Sequence, residues 1–249
     1  MDAKVRLHLD QPLVPGQPLS LAPEQAHYLL NVMRLGPGAR IAVFNGRDGE
    51  WLAAVEPDGR RGARATPLHP TRPPATPPDL WLLFAPIKKA RTDFIVEKAA
   101  EMGVRRILPV QTDFTNAERI RRDRLQAHVV EAVEQCGGIF VPEVAELAPL
   151  ARLLDGWDGA RRIMLCDEGA AGQGRGLPEP PPGAAPGPWA VLIGPEGGFS
   201  PTERARLHAL PFVHVASLGP RILRADTAAV AALALWQARL GDWGSVALP

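Results

Sequence analysis

The sequence is poor in cysteine, in lysine and in long apolar runs. Only Cys136 and Cys166 occur in 249 residues, which excludes a disulfide framework. No C-x-x-C pair or Cys/His cluster proposes a metal site, so no metal is expected. The longest apolar run, Ala228 to Trp236, is about half of the roughly 18 residues that suggest a membrane span. Residues Met1 to Arg6 lead into no apolar signal core. A cytoplasmic protein without a membrane part is the expectation. Charge of one sign is also lacking: 28 bases against 27 acids leave +1, so no global basic field announces nucleic acid.

The charge is unevenly spread. Residues 88–124 carry ten bases and six acids, whereas 125–249 carry nine bases and 13 acids. A basic middle beside an acidic end fits one polyanion-facing side; solvated helix faces give the same pattern. Hydrophobic residues make up 46% and charged residues 22%, an ordinary globular composition that excludes disorder of the whole chain.

Prolines crowd residues 67–79. Proline lacks the amide donor and fixes φ, so this stretch reads as extended chain that joins rather than packs. It divides the chain into residues 1–72, a linker 73–79, and 80–249. The first part reads as a small β-barrel: short strand candidates at 5–9, 40–44, 51–55 and 63–67, glycine turns between them, and one helix over 23–33. The second part alternates strands with helices, which argues an α/β domain with a mainly parallel sheet. Strands are expected at 80–85, 106–110, 162–166, 189–193 and 212–216. Helices are expected at 92–102, 118–136 and 226–240. Leu125, Val129, Ala132, Val133 and Cys136 share one helical face. Residues 169–188, rich in Gly, Ala and Pro, read as a long surface loop.

Two segments carry the chemistry. Gly194-Pro195-Glu196-Gly197-Gly198 follows a buried strand, and Ser200-Pro201-Thr202-Glu203 after it forms a capping box. Glycines there let the backbone approach a ligand. Neither a phosphate-binding P-loop nor G-x-G-x-x-G is present. Glu196 puts a carboxylate in the loop, which suits a ligand with positive charge or hydroxyls; a plain tight turn with a cap fits equally. The second segment runs from Leu218-Gly219 through Ile222-Leu223-Arg224 to Asp226. Its acid reads first as a residue that caps or biases the start of the last helix. Cys166, at a third strand end, reads as a buried small hydrophobe.

Taken together, these motifs resemble the RsmE family, bacterial enzymes of the SPOUT (α/β-knot) superfamily that make N3-methyluridine in 16S rRNA. The resemblance also rests on His27, Val32 and Arg34, on Lys98-Ala99-Ala100-Glu101-Met102-Gly103, and on Glu131-Ala132 with Glu134-Gln135. It departs at Gln111–Thr115, at Gly138, and at Asp226, where the family usually has Glu. It implies a PUA-like barrel, a trefoil-knotted domain and S-adenosyl-L-methionine bound by three loops. Carried over, the cofactor residues are Leu165, Cys166, Asp167, Gly194, Pro195, Glu196, Gly197, Leu218, Gly219, Ile222 and Leu223. Arg224 is implied as catalytic, with Glu196 or Asp226 as proton acceptor. His27, Arg34, Lys88, Lys89, Lys98, Arg121 and Arg122 are expected to contact RNA. The implied partners are 16S rRNA in the small ribosomal subunit and a second copy of the chain.

Overall fold

Alternating apolar residues punctuated by glycine build a five-stranded sheet at the start of the chain. In this computed structural model, which describes residues 3–60, 62–170 and 187–243, two units separate. One holds the residues to Thr76 with Val133–Val141; the other holds Pro77–Ala132 and the residues from Pro142 on.

In the first unit, β1 (Arg6–His8), β2 (Leu19–Ser20), β3 (Ala39–Phe44), β4 (Glu50–Asp58) and β5 (Gly62–Arg72) stand in the order β1-β3-β4-β5-β2. β1 runs parallel to β3, and the other pairs are antiparallel. The alternation of the strands puts Leu7, Ile41, Val43, Ala53, Val55 and Ala65 into one core. The proline-rich stretch is not wholly a joining segment: Pro67 and Pro70 lie in β5, opposite Ala53 and Trp51. β2 pairs with β5 at Arg64 and Ala65, and beyond it Gly16 N–H donates to the Pro67 carbonyl at 2.8 Å.

The expected helix at 23–33 is shorter. α1 (Pro23–His27) passes into a wide π turn over Tyr28–Val32, closed by Met33 N–H donating to the Tyr28 carbonyl at 2.8 Å. Arg34 then reverses the chain at φ 53°. Arg6 holds the unit together. Its guanidinium donates to Glu50 at 2.9 Å and to the carbonyls of Val133, Glu134 and Gly138 at 2.9, 3.1 and 2.6 Å.

The second unit is a parallel sheet. β6 (Leu80–Phe84), β7 (Arg106–Gln111), β8 (Glu143–Val144), β10 (Arg162–Cys166), β11 (Trp189–Ile193) and β12 (Val213–Ala216) lie in the order β12-β10-β11-β6-β7-β8; the short β9 (Ala148–Pro149) also pairs with β7. Every described pair in it is parallel. β11, central and buried throughout, needs apolar residues on both faces, hence its unbroken Trp-Ala-Val-Leu-Ile. The helices are α2 (Lys89–Glu101), α3 (Arg122–Cys136), α4 (Leu150–Asp155), α5 (Pro201–Ala209) and α6 (Ala225–Arg239). α2 packs on α6, where the buried Gln237 donates to the Met102 carbonyl at 2.6 Å and so caps the end of α2.

Three readings change here. α3 begins at Arg122 rather than 118, and residues 119–121 before it line a cavity. Cys136 leaves the buried face of α3 and is exposed at its end. The elements β8, β9 and α4 were not anticipated between 137 and 161. Most of the long loop expected at 169–188 lies outside the described residues. No described helix is long and apolar enough to cross a membrane.

Candidate active site

Parallel strands leave their carboxyl ends on one edge, and ligands gather there. β10, β11 and β12 end side by side, with Cys166 opposite Ile193 and Ala216. The loops that follow enclose a cavity of about 300 Å³. Its first wall is Cys166, Asp167 and Glu168. Its second is Ile193, Gly194, Pro195, Glu196 and Gly197. Its third runs from Ala216 through Leu218, Gly219, Arg221, Ile222, Leu223 and Arg224 to Ala225, with Ala228 of α6 behind.

The glycine loop has a steric reason. A Cβ on Gly194 would stand 3.0 Å from the ring of Phe199, which is buried in the core beneath the sheet. Gly198 has φ +68°, so a side chain there is strained, and the end of the Glu168 side chain would have to move aside for it. The capping box after it forms as the spacing predicts: Ser200 Oγ accepts from Glu203 N–H at 3.2 Å, and Ser200 N–H donates to Glu203 Oε2 at 3.0 Å. Ser200 Oγ also donates to Asp113, while Asp113 N–H donates to Glu203 Oε1 at 2.9 Å. The loop after β7 is thereby tied to the start of α5. It holds the exposed Phe114 beside Gly197.

The charged groups divide into spent and free. The Asp167 carboxylate is only 2% exposed; Arg204 pairs with it at 3.0 Å and His208 Nε2 lies 3.0 Å away. Asp167 therefore shapes the cavity without offering it a free charge. Glu196, Arg221 and Arg224 line the cavity and are exposed, and no ion pair engages them among the described residues. Burial pushes the Cys166 thiol up to about 12, so it is an uncharged wall and not a nucleophile. Ile193, Ala216, Leu218, Ile222, Leu223 and Ala228 set apolar wall beside these charged groups.

Most residues expected from the sequence converge here: Cys166, Asp167, Gly194, Pro195, Glu196, Gly197, Leu218, Gly219, Ile222, Leu223 and Arg224. Two do not. The Leu165 side chain points into the core, because alternation along β10 turns it away from its neighbour Cys166. Asp226 is neither on the cavity nor the cap of α6. The cap position is Arg224, and Asp226, two residues later, pairs with Arg91 at 3.7 Å. Ile193, Ala216, Ala225, Ala228 and Phe114 were missed. The first two are the ends of strands already assigned, which was the available signal.

The residues expected to contact RNA are dispersed. His27 and Arg34 are exposed on the first unit, where His27 Nδ1 lies 3.0 Å from Asn31. Lys88 is exposed at the start of α2. Lys89 and Arg121 line a second cavity of the second unit. Lys98 is paired with Glu101 at 2.6 Å, and Arg122 donates to the Val144 carbonyl at 2.8 Å, so both are engaged within the fold. Among the described residues no group of three or more His, Cys, Asp or Glu is placed to hold a metal ion.

Comparison with known proteins places this arrangement. Residues 74–237 match the RNA methyltransferase domain and residues 21–68 the RNA methyltransferase PUA domain. The chain is 28% identical over 230 residues to ribosomal RNA small subunit methyltransferase E of Rickettsia conorii, covering 92% of this chain and 93% of that protein. A crystal structure of the same-named protein of Neisseria gonorrhoeae, bound to S-adenosyl methionine, superposes with a TM-score of 0.85 at 27% identity. It covers 96% of this chain and 99% of the other. A methyltransferase of Legionella pneumophila in complex with the same cofactor gives 0.82 at 28% identity, over 96% and 98%.

Proposed function

This chain belongs to the RNA methyltransferase family, and from that premise we propose that it methylates N3 of a uracil in 16S ribosomal RNA, with S-adenosylmethionine as donor. The observation that carries the reading is the three-loop cavity at the ends of β10, β11 and β12. Likeness over nearly the whole chain to a small subunit methyltransferase E supports it.

The residues present fit the cofactor. The cavity falls at the small end of the range for small-molecule sites. Its apolar lining and close-approach glycines suit a ligand whose sulfur is cationic in the reactant and neutral in the product. A fixed carboxylate at the sulfur would favour the reactant. Asp167, the one buried acid here, is already paired with Arg204 and lies 3.0 Å from His208 Nε2. When bound, S-adenosylmethionine supplies an electrophilic methyl group.

The chain supplies the rest. Uracil N3 carries a proton and is a poor nucleophile until it leaves. Arg224, exposed at the cavity, stabilises the negative charge that develops on the uracil oxygens. It cannot take the proton, because a guanidinium stays charged. Of the two carboxylates considered, Glu196 is on the cavity and Asp226 is not, so Glu196 is the acceptor in this reading. N3 lies on the pairing edge, so the base must be unpaired. Phe114 offers the exposed aromatic face on which such a base stacks.

The remaining parts of the proposal are the assembled small subunit as substrate, a homodimer in the cytoplasm, RNA contacts by His27, Arg34, Lys88, Lys89 and Arg121, and the knotted trace. The test is incubation with S-adenosylmethionine and unmodified small subunits, followed by mass spectrometry of RNA nucleosides. New N3-methyluridine is expected. Methyl on another nucleoside overturns the target, and absence of donor binding by calorimetry overturns the enzyme.

A further inference from the structure

A second cavity, of about 360 Å³, opens between the start of α2 and the approach to α3. Its polar lining is cationic: Lys89, Arg119, Arg121 and Arg124 against a single acid, Asp93. Two of these cations are engaged locally. Arg121 pairs with Asp123 at 2.9 Å, and Arg124 pairs with Asp93. Lys89 and Arg119 have no ion pair among the described residues, and both are exposed. Pro86, Ile87, Ile120 and Leu125 supply apolar wall beside them. An excess of positive charge facing a cavity demands an anion, and an apolar flank suits an anion attached to something flat and uncharged.

The place of the cavity narrows the choice. Pro86 and Ile87 follow the carboxyl end of β6, and β6 is hydrogen-bonded to β11, with Phe84 opposite Ile193 and Ala85 N–H donating to the Ile193 carbonyl at 3.0 Å. Ile193 is itself a wall of the first cavity. The two cavities therefore open on the same edge of one sheet, from strands about 4.8 Å apart. We propose that the second cavity holds a backbone phosphate of the substrate RNA, from a nucleotide next to or near the methylated one. Lys89 and Arg119 take the phosphate oxygens, and the apolar flank takes the neighbouring base or ribose. This rests on the RNA-methylating reading and adds to it the anchor that holds the strand while its neighbour is turned into the first cavity. Such contacts position the strand without reading its sequence.

The test uses the whole protein and a short 5′-labelled uridine-containing RNA, with binding read by fluorescence anisotropy across a salt series. The variants are the double Lys89→Ala, Arg119→Ala and the charge-keeping double Lys89→Arg, Arg119→Lys. The alanine pair is expected to weaken RNA binding about tenfold or more at low salt. Its log–log salt slope should be shallower by about 1.4, two contacts at roughly 0.7 each for a single strand. The charge-keeping pair should bind within a few-fold of the original, which separates lost charge from lost fold. Donor affinity, measured by calorimetry, should be unchanged in all. An unaltered affinity and slope in the alanine pair overturns the proposal. So does displacement by inorganic phosphate that leaves RNA affinity equal in both proteins, since the cavity is then a site for the free ion. Failure of the function is distinguishable: the original protein would make no N3-methyluridine even where the salt slope behaves as expected.

Discussion

Replacing Gly194 by alanine tests the steric argument for the glycine loop. The added methyl lies 3.0 and 3.2 Å from two ring carbons of Phe199, against an ordinary carbon contact of about 3.5–4.0 Å. Something must yield by a few tenths of an ångström. Phe199 is buried among Leu165, Leu192 and Leu207, so its ring has nowhere to go. The loop 194–197 yields instead and lifts into the cavity. Overpacking of this size costs about 1–3 kcal/mol. Where the free loop relaxes outward and only the bound state requires the original position, that cost appears as a 5- to 150-fold weaker donor affinity. Calorimetry with S-adenosylmethionine measures it, beside a thermal melt that should move little. If the ring were mobile instead, the melting temperature would fall by about 2–4 °C per kcal/mol while affinity held. Adding Phe199→Leu should restore part of the affinity, since the two changes share one contact. Unchanged affinity together with an unchanged melt would refute the reasoning.

Four further outcomes are expected. Arg224→Ala should lower kcat by about 10²–10³ with donor affinity little altered, measured in a steady-state methyl-transfer assay. Phe114→Ala should raise the KM for RNA several-fold through loss of stacking, about 1–3 kcal/mol per base, and Phe114→Tyr should restore it. Arg6→Ala leaves the buried Glu50 to Arg72 at 3.6 Å and the Thr71 hydroxyl at 3.0 Å and frees three carbonyls, so denaturant unfolding should show a loss of about 1–3 kcal/mol. Iodoacetamide at pH 8–9 should label the exposed Cys136 and spare Cys166. A thiol raised by burial disfavours the thiolate, so any stability it lends is present below its ordinary range near 8.5 and is lost as pH climbs toward 12.

Local signals in the sequence were read well and distant ones poorly. The capping box needs only residues 200–203 to agree with one another, and it forms with both bonds in place. The unbroken apolar run of β11 announces burial on both faces for the same reason. β8 has two residues and exists only because β7 lies beside it, so no periodicity could mark it. Nothing in the sequence near Asp167 shows that its carboxylate is paired. Its partners Arg204 and His208 stand 37 and 41 positions later, on a helix that packing brings back. Asp226 lies in the first turn of α6, where it can bias the helix start, while the cap itself falls two residues earlier at Arg224. Phe114 carried no signal at all, because what makes it notable is a bond from Asp113 to α5, some 90 positions on.

The walls of the active cavity come from three separated stretches, beginning at Cys166 and ending at Ala228. No one of them encloses anything alone. A chain leaving the ribosome therefore has no donor site until β12 is paired and α6 has begun. Such a site has no half-built form that could bind or consume the methyl donor early. The same arrangement turns the donor into a clasp: whatever binds only the completed edge resists the parting of β10, β11 and β12. At a hundred times its dissociation constant it adds about 2.7 kcal/mol to the stability of the fold. In a cell where the donor is plentiful, the enzyme's lifetime and its readiness to act would rise and fall together.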